Sequence, residues 1–308
     1  MTRPLMHIAS QIFGQPLAIT ENAAIQLVAA LRSELNIDLI ETVEGQRLGQ
    51  IEMERISSSA LSFEGGEDAR PARKAFQQIG NIAYIPVEGV LTKKWGLDPW
   101  CGMCGYDGIK AKVIASMDDS SVAGILFDYH TPGGTVSSML ETAELIYSCS
   151  ERNGGKPIWA MANDMAASAG MLLFSGADKT FVTQTGMIGS MGVVTIHIDR
   201  QEEAKMRGQK VTIIRSGAHK YEGNAYEDLS PDALGRIQAQ IDMIRELYIE
   251  SAGRNLASDS TQIESMKKIV RETEGLTYIG AQARDMGLVS AVASEDQVWA
   301  EFMDRLSR

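Results

Sequence analysis

Short apolar runs that alternate with helix-like stretches constrain this chain more than any other feature. Residues 122–127 form a continuous apolar run, the pattern of a strand buried on both faces. Residues 135–151 then read as helix and 157–161 as strand, and a small-residue helix begins after Ser168. Residues 179–183, 193–198 and 211–214 read as further strands, with 202–207 helical between the last two. Upstream, 82–91 reads as a strand in which Pro86 marks an edge or a bulge. Strand–helix alternation of this kind predicts βαβ units and a parallel sheet covered by helices.

Downstream, Ser230, Pro231 and Asp232 predict a helix start: an N-cap, a first-turn proline and an acid near the positive end of the dipole. Ile237, Ile241, Ile244 and Tyr248 then fall on one stripe of that helix. At the other end, residues 1–40 read as partly helical. Leu27, Val28, Leu31 and Leu35 share a face, and Glu21 lies in an early turn. Residues 56–72 are rich in Ser, Gly and charge, as expected of a solvated linker. The expected organisation is an N-terminal helical segment and linker over 1–75, a main domain over 76–295, and a helical tail over 296–308. No internal repeat interrupts it.

Composition narrows the function. A net charge of -11 opposes general nucleic-acid binding, which needs a basic face. Three cysteines in 308 residues do not make a disulfide framework and point to a reducing compartment. The first ten residues lack the apolar core of a secretory signal, and no run approaches the ~20 apolar residues of a membrane span. A cytoplasmic protein without a membrane anchor is expected.

Four local sequences carry chemistry. Ser168 lies among small residues, Ala166, Ala167, Ala169 and Gly170, which leave room for a substrate backbone. A serine hydroxyl attacks only when a base takes its proton. Lys220, which follows a glycine turn at Gly217, serves as that base if burial disfavours its charged form. Pro132, Gly133 and Gly134 end the apolar strand, where glycine N–H groups suit an oxyanion hole; a plain tight turn is the alternative. The spaced glycines of 185–192 lack the lysine and hydroxyl of a phosphate loop, and Ser190 there is placed to hydrogen-bond a neutral lysine.

Other readings compete. Cys101 and Cys104 form a Cys-x-x-Cys pair, but a zinc site needs about four ligands and Cys149 is distant in sequence. A Ser-His-Asp triad would use His130 or His219 with Asp128 or Asp164, although His219 adjoins Lys220 and neighbours on an extended segment face opposite sides. The 16 methionines read as core filler.

Together these motifs resemble the signal peptide peptidase A family of serine proteases, within the Clp-protease/crotonase superfamily. The resemblance runs from Ile82 to Val292. It implies an α/β, Clp-protease/crotonase-like fold with stacked βαβ units and a Ser-Lys dyad. Ser168 matches the family nucleophile, and Lys220, 52 positions later, matches its general base. Ser190 would position the lysine. Gly133, Gly134 and Ala169 would supply oxyanion N–H groups, and no metal or cofactor is implied. Residues 7–17, 102–109 and 216–224 resemble the capsid-assembly proteases of lambda-like phages. Members of that type often continue into a scaffold-like tail, whereas this chain ends at Arg308.

The resemblance therefore implies a serine endopeptidase acting on capsid, portal or scaffold polypeptides, the chain itself among them. It implies a homo-oligomer in the prohead or virion within the host cytoplasm, with no membrane partner and no direct nucleic-acid contact. A cellular-type peptide-degrading protease, a non-catalytic head-assembly component and a crotonase-type enzyme acting on acyl-coenzyme A are the alternatives.

Overall fold

A computed structural model describes residues 16–20, 23, 40–41, 47–48, 74–97 and 102–308. The stripe of Leu27, Val28, Leu31 and Leu35, the linker over 56–72 and Cys101 lie outside the described residues.

The core is a largely parallel sheet, as the alternation predicted. Its long strands are β5 (Ile82–Glu88), β8 (Gly124–Thr131) and β10 (Ile158–Ala167), adjacent and parallel. The antiparallel β4 (Gln77–Ile79) closes one edge. It stops opposite Tyr84, so Pro86 sits where that side of β5 carries no ladder. At the other edge β10 pairs first with β11 (Lys179–Val182) and then, past an irregularity between Ala162 and Met165, with β12 (Met187–Gly189). The strands β13 (Thr277–Ile279) and β14 (Ala291–Val292) extend these two branches.

A second, smaller sheet runs β1 (Leu17–Ile19), β9 (Gly133–Thr135), β6 (Val90–Thr92) and β7 (Met103–Gly105). A two-residue ladder pairs β2 (Ile40–Glu41) with β3 (Arg47–Leu48). The first two units share a plan. A long strand of the main sheet leads into a short strand of the small sheet and then into a helix: β5, β6, β7 and α1 (Tyr106–Asp118), then β8, β9 and α2 (Met139–Cys149). In the third unit β10 turns directly into α3 (Ala169–Ser175). These are the stacked units expected of the fold class. The helices α4 (Gln201–Met206), α5 (Pro231–Leu256), α6 (Ile263–Glu272), α7 (Gly280–Asp285) and α8 (Glu295–Ser307) follow.

Two apolar layers hold the sheet. On one face Ile85, Phe127, Ala160, Ile146, Leu172, Phe174 and Tyr248 are fully buried. On the other, Ile82, Leu126, Trp159 and Phe181 meet Val298 and Phe302 of α8, with the Trp159 and Phe302 rings 4.7 Å apart. The tail is thus part of the packed body.

Several expected elements differ. The helix predicted over 135–151 begins at Met139, because Gly133–Thr135 are taken into the small sheet. The strand predicted over 157–161 runs on through Asn163 and Asp164 to Ala167. Residues 193–198 form no strand beyond a bridge at Val194, and 211–214 are irregular, with Ile214 94% exposed. Their β-branched composition suits a strand, but among the described residues only Val194 meets a strand edge, at Leu17. The helix start at Ser230 is as predicted: its hydroxyl accepts the Ala233 N–H at 3.2 Å, and Pro231 is the first helical residue.

Candidate active site

Parallel strands present their carboxyl ends on one side of a sheet, the usual position of sites in open α/β sheets. Ser168 stands there, at the junction of β10 and α3. Its backbone lies at φ 54 and ψ -118, a conformation that a serine holds only when its surroundings enforce it. Three bonds do so. The Ser168 N–H donates to the Gly189 carbonyl at the end of β12 (2.7 Å), while its carbonyl accepts from Tyr248 Oη (2.8 Å) and the Leu172 N–H (3.2 Å).

Small side chains make this junction possible. Ala166, Ala167 and Ala169 are fully buried, so their size serves tight packing rather than an open space for substrate. A Cβ on Gly170 would lie 2.3 Å from Thr131 Cγ2, so only glycine lets α3 lie this close to the end of β8. Gly133 presses against the serine itself: a Cβ there would stand 2.8 Å from Ser168 Cβ and 2.2 Å from the Ala18 carbonyl oxygen. Its φ of 101 also belongs to glycine.

Ser168 is 1% exposed, and its hydroxyl has no hydrogen-bond partner among the described residues. A buried hydroxyl without a partner is costly and needs an explanation. The Ala169 N–H lies in the first turn of α3, where backbone donors lack intrahelical acceptors. The two glycine candidates differ. Antiparallel pairing alternates bonded and unbonded residue pairs. Thr20 donates to Pro132 and Val136 to Pro16, which makes Ala18–Gly134 the bonded pair between them. The Gly134 N–H is thereby taken by Ala18 in the ladder while β1 is in place. The Gly133 N–H meets Thr131 Oγ1, at a long 3.2 Å.

Lys220 is not bonded to the Ser168 hydroxyl among the described residues. It lies in the irregular segment between α4 and α5, exposed, in a turn closed by its own N–H to the Gly217 carbonyl (3.1 Å). Among the described residues no hydrogen bond joins its amine to Ser168 or to Ser190. Ser190 follows β12 in a left-handed conformation (φ 53), its N–H bonded to the Leu276 carbonyl (2.8 Å). A single chain therefore holds the serine rigidly and leaves the lysine in water.

Residues 150–307, slightly more than half of the chain, match Peptidase family S49. The chain belongs to that family. It is 34% identical over 306 residues to the capsid assembly protease C of Escherichia phage lambda, covering 99% of this chain and 66% of that protein. It is 36% identical over 251 residues to the head-tail preconnector protein GP5 of Enterobacteria phage P21, covering 81% of this chain and 49% of that protein. The chain thus spans about half to two thirds of the phage relatives' lengths. Among solved structures, an enoyl-CoA hydratase/isomerase family member aligns over 75% of each chain at 12% identity, with a TM-score of 0.42.

The S49 match spans both Ser168 and Lys220. The other titratable candidates lie apart. His130 Nδ1 contacts Asp164 at 2.8 Å, both exposed, and no hydrogen bond links them to Ser168 among the described residues. Asp128 accepts from Tyr84 Oη (2.7 Å), and burial raises its carboxyl above the ordinary range. His219 pairs with Glu222 at 2.8 Å. Cys104 is buried in β7, its thiol pushed up to about 12 by desolvation. Among the described residues no cluster of His, Cys, Asp or Glu is arranged to hold a metal, and no helix is long and apolar enough to cross a membrane.

Two positioning residues escape a reading of the sequence. Tyr248, the last member of the α5 stripe, is fully buried and bonds the Ser168 carbonyl from 80 positions away. Asn224, also buried, holds the lysine segment. It donates to the Tyr221 carbonyl (2.9 Å) and accepts from the Tyr226 N–H (2.8 Å), and its own carbonyl meets His197 Nε2 (3.1 Å). Asparagine two residues before a turn amide is a local signal that could have marked Asn224. No local signal marks Tyr248.

Proposed function

We propose that the chain is a serine endopeptidase with Ser168 as nucleophile and Lys220 as general base, acting on phage head proteins during capsid maturation. One observation carries the reading. In a chain of family S49, a buried serine hydroxyl without a partner among the described residues is held in a strained strand-to-helix junction, against Gly133 and beside the first-turn N–H of Ala169.

The neutral Lys220 amine takes the Ser168 Oγ proton as Oγ bonds to a substrate carbonyl carbon. The carbonyl electron pair moves onto oxygen, where the Ala169 N–H and the glycine N–H groups of Gly133 and Gly134 hold the negative charge. The tetrahedral adduct collapses, the C–N bond breaks, and the lysine ammonium returns the proton to the departing amine. Water then attacks the acyl-enzyme by the same proton route and restores Ser168.

For this chemistry Lys220 must leave water. Met206, Ile214, Tyr221, Leu234, Met243 and Leu247 expose apolar surface on the lysine segment and its flanking helices. Assembly of copies into a homo-oligomer covers that surface, desolvates Lys220 and delivers it to a serine. Capsid, portal and scaffold polypeptides within the prohead are the substrates, in keeping with the names of the phage relatives. The alternative of a non-catalytic assembly component draws on Lys220 being exposed and unbonded to Ser168 among the described residues.

Purified chain incubated with its neighbouring head proteins, followed by mass spectrometry, tests the reading. Lys220→Ala is expected to abolish cleavage with the fold and oligomer retained, and full activity in that variant removes the mechanism. A serine-directed acylating probe labels Ser168 in a peptidase and leaves it untouched in a purely structural component.

A further inference from the structure

We infer that the chain's own residues Leu17–Ile19 occupy the channel through which a substrate backbone reaches Ser168, so that β1 closes the site until it is withdrawn. The inference rests on Ser168 being the nucleophile.

An extended peptide is commonly bound by adding itself as a strand to an open sheet edge, with main-chain bonds holding it. The strand β1 is held in that manner on both sides. Leu17 exchanges two hydrogen bonds with Val194, N–H to carbonyl at 2.7 Å and 2.8 Å. Its other edge pairs antiparallel with β9, Leu17 opposite Thr135, Ala18 opposite Gly134 and Ile19 opposite Gly133. Because β6 takes the other side of β9, no edge of β9 remains for a substrate while β1 is in place.

The strand also lies at the nucleophile. The Ala18 carbonyl oxygen and Ser168 Cβ both fall within 2.8 Å of the point where a Gly133 Cβ would stand. Leu17, Ala18 and Ile19 are buried, and Ser168 is shut from solvent. A hydroxyl attacks a carbonyl carbon only from about 3–3.5 Å. An incoming peptide cannot come that near past a strand already laddered to β9 on one flank and bridged to Val194 on the other.

The occupant indicates what the channel accepts. Leu-Ala-Ile is uncharged, extended and small at its centre, where Ala18 faces Gly134. A Cβ on Gly134 would sit 1.9 Å from the Leu91 carbonyl oxygen, so the floor of the channel there is bare backbone. The substrate class that fits is an extended apolar segment with a small residue at that position.

The test uses the full chain, a quenched-fluorescent peptide built around Leu-Ala-Ile, and two variants acting in opposite directions. Leu17→Asp places a carboxylate in the buried strand and releases it. Leu17→Cys with Val194→Cys locks it, because a bonded antiparallel pair stands about 5.5 Å apart at Cα, within disulfide reach. Release is expected to raise the hydrolysis rate about tenfold or more, as the competent fraction grows. The oxidised lock is expected to fall at least about tenfold below the parent and to recover with reductant, which leaves the parent's own rate unchanged. A lock that hydrolyses at the parent's rate in both redox states overturns the inference and leaves the peptidase reading standing. Silence from parent, released variant and reduced lock alike removes the peptidase reading and the inference with it.

Discussion

Tyr248→Phe tests whether the strained serine is held from across the fold. The change keeps the ring and its packing in a fully buried site and removes one hydroxyl, which donates to the Ser168 carbonyl at 2.8 Å. That carbonyl keeps the Leu172 N–H at 3.2 Å, so no wholly orphaned acceptor is left. The net loss is then about 1 kcal/mol, the worth of an ordinary internal hydrogen bond. In a chain of this size that lowers Tm by about 2 °C. Residues in sparsely populated backbone regions carry about 1–3 kcal/mol of strain, so one bond of three is a sizeable part of what holds Ser168 at φ 54. If the lost 1 kcal/mol appears as relaxation of the junction, kcat falls about fivefold while KM stays within about twofold. Steady-state kinetics on a peptide substrate and urea unfolding measure the two effects. Ser116→Ala is the control: its buried hydroxyl donates to the Lys112 carbonyl within α1, so its loss affects stability without touching the site. An unchanged kcat in Tyr248→Phe alongside the expected stability loss refutes the argument.

Other outcomes follow from the same geometry. Gly133→Ala forces a Cβ between the Ala18 oxygen and Ser168 Cβ at φ 101, and is expected to cost about 1–3 kcal/mol in urea unfolding and nearly all peptidase activity. Gly154→Ala, also at positive φ but with nothing within 4 Å, should keep full activity; equal activity in both variants would show that the Gly133 contact is immaterial. Cys104, buried and with its thiol pushed up to about 12, should resist iodoacetamide at pH 8 in the native chain and react once unfolded, as peptide mass spectrometry would report. The Glu222 carboxyl is held down to about 2 by Arg236 and then His219. A depressed carboxyl stabilises fully above its ordinary value near 4.5 and loses that effect as pH falls toward 2. The Lys220 and Glu222 amides, bonded to the Gly217 and His219 carbonyls, should therefore lose protection, measured against the intrinsic exchange rate at each pH, across that window, and Glu222→Gln should show the lower protection already at pH 7.

How far the sequence could be read depended on whether the deciding interactions are local. The buried run at 122–127 and the helix start at Ser230 are local patterns, and both appear where expected, with the strand shifted to Gly124–Thr131. Residues 193–198 and 211–214 have equally good strand composition, yet among the described residues only Val194 pairs with a strand. A strand is a relation between two segments, and composition describes one. The same limit separates the candidate site residues. Ser168 could be singled out because the small residues packed around it adjoin it in sequence. The Gly133 contact, the Tyr248 hydroxyl and the Leu17–Ile19 strand come from 35, 80 and about 150 positions away, and no local pattern links them to Ser168.

By itself the sequence determined the alternating α/β plan, the family motifs and the position of a serine at a strand-to-helix junction. Those follow from periodicity, turn chemistry and side-chain size, which act between near neighbours. Only the tertiary structure decided which glycine N–H is taken by a ladder, which hydroxyl braces the serine, that the lysine stays in water, and that a strand from the N-terminal region covers the nucleophile. Each of these is a competition for hydrogen bonds and burial among segments distant in the chain, and it is settled only when the sheets close.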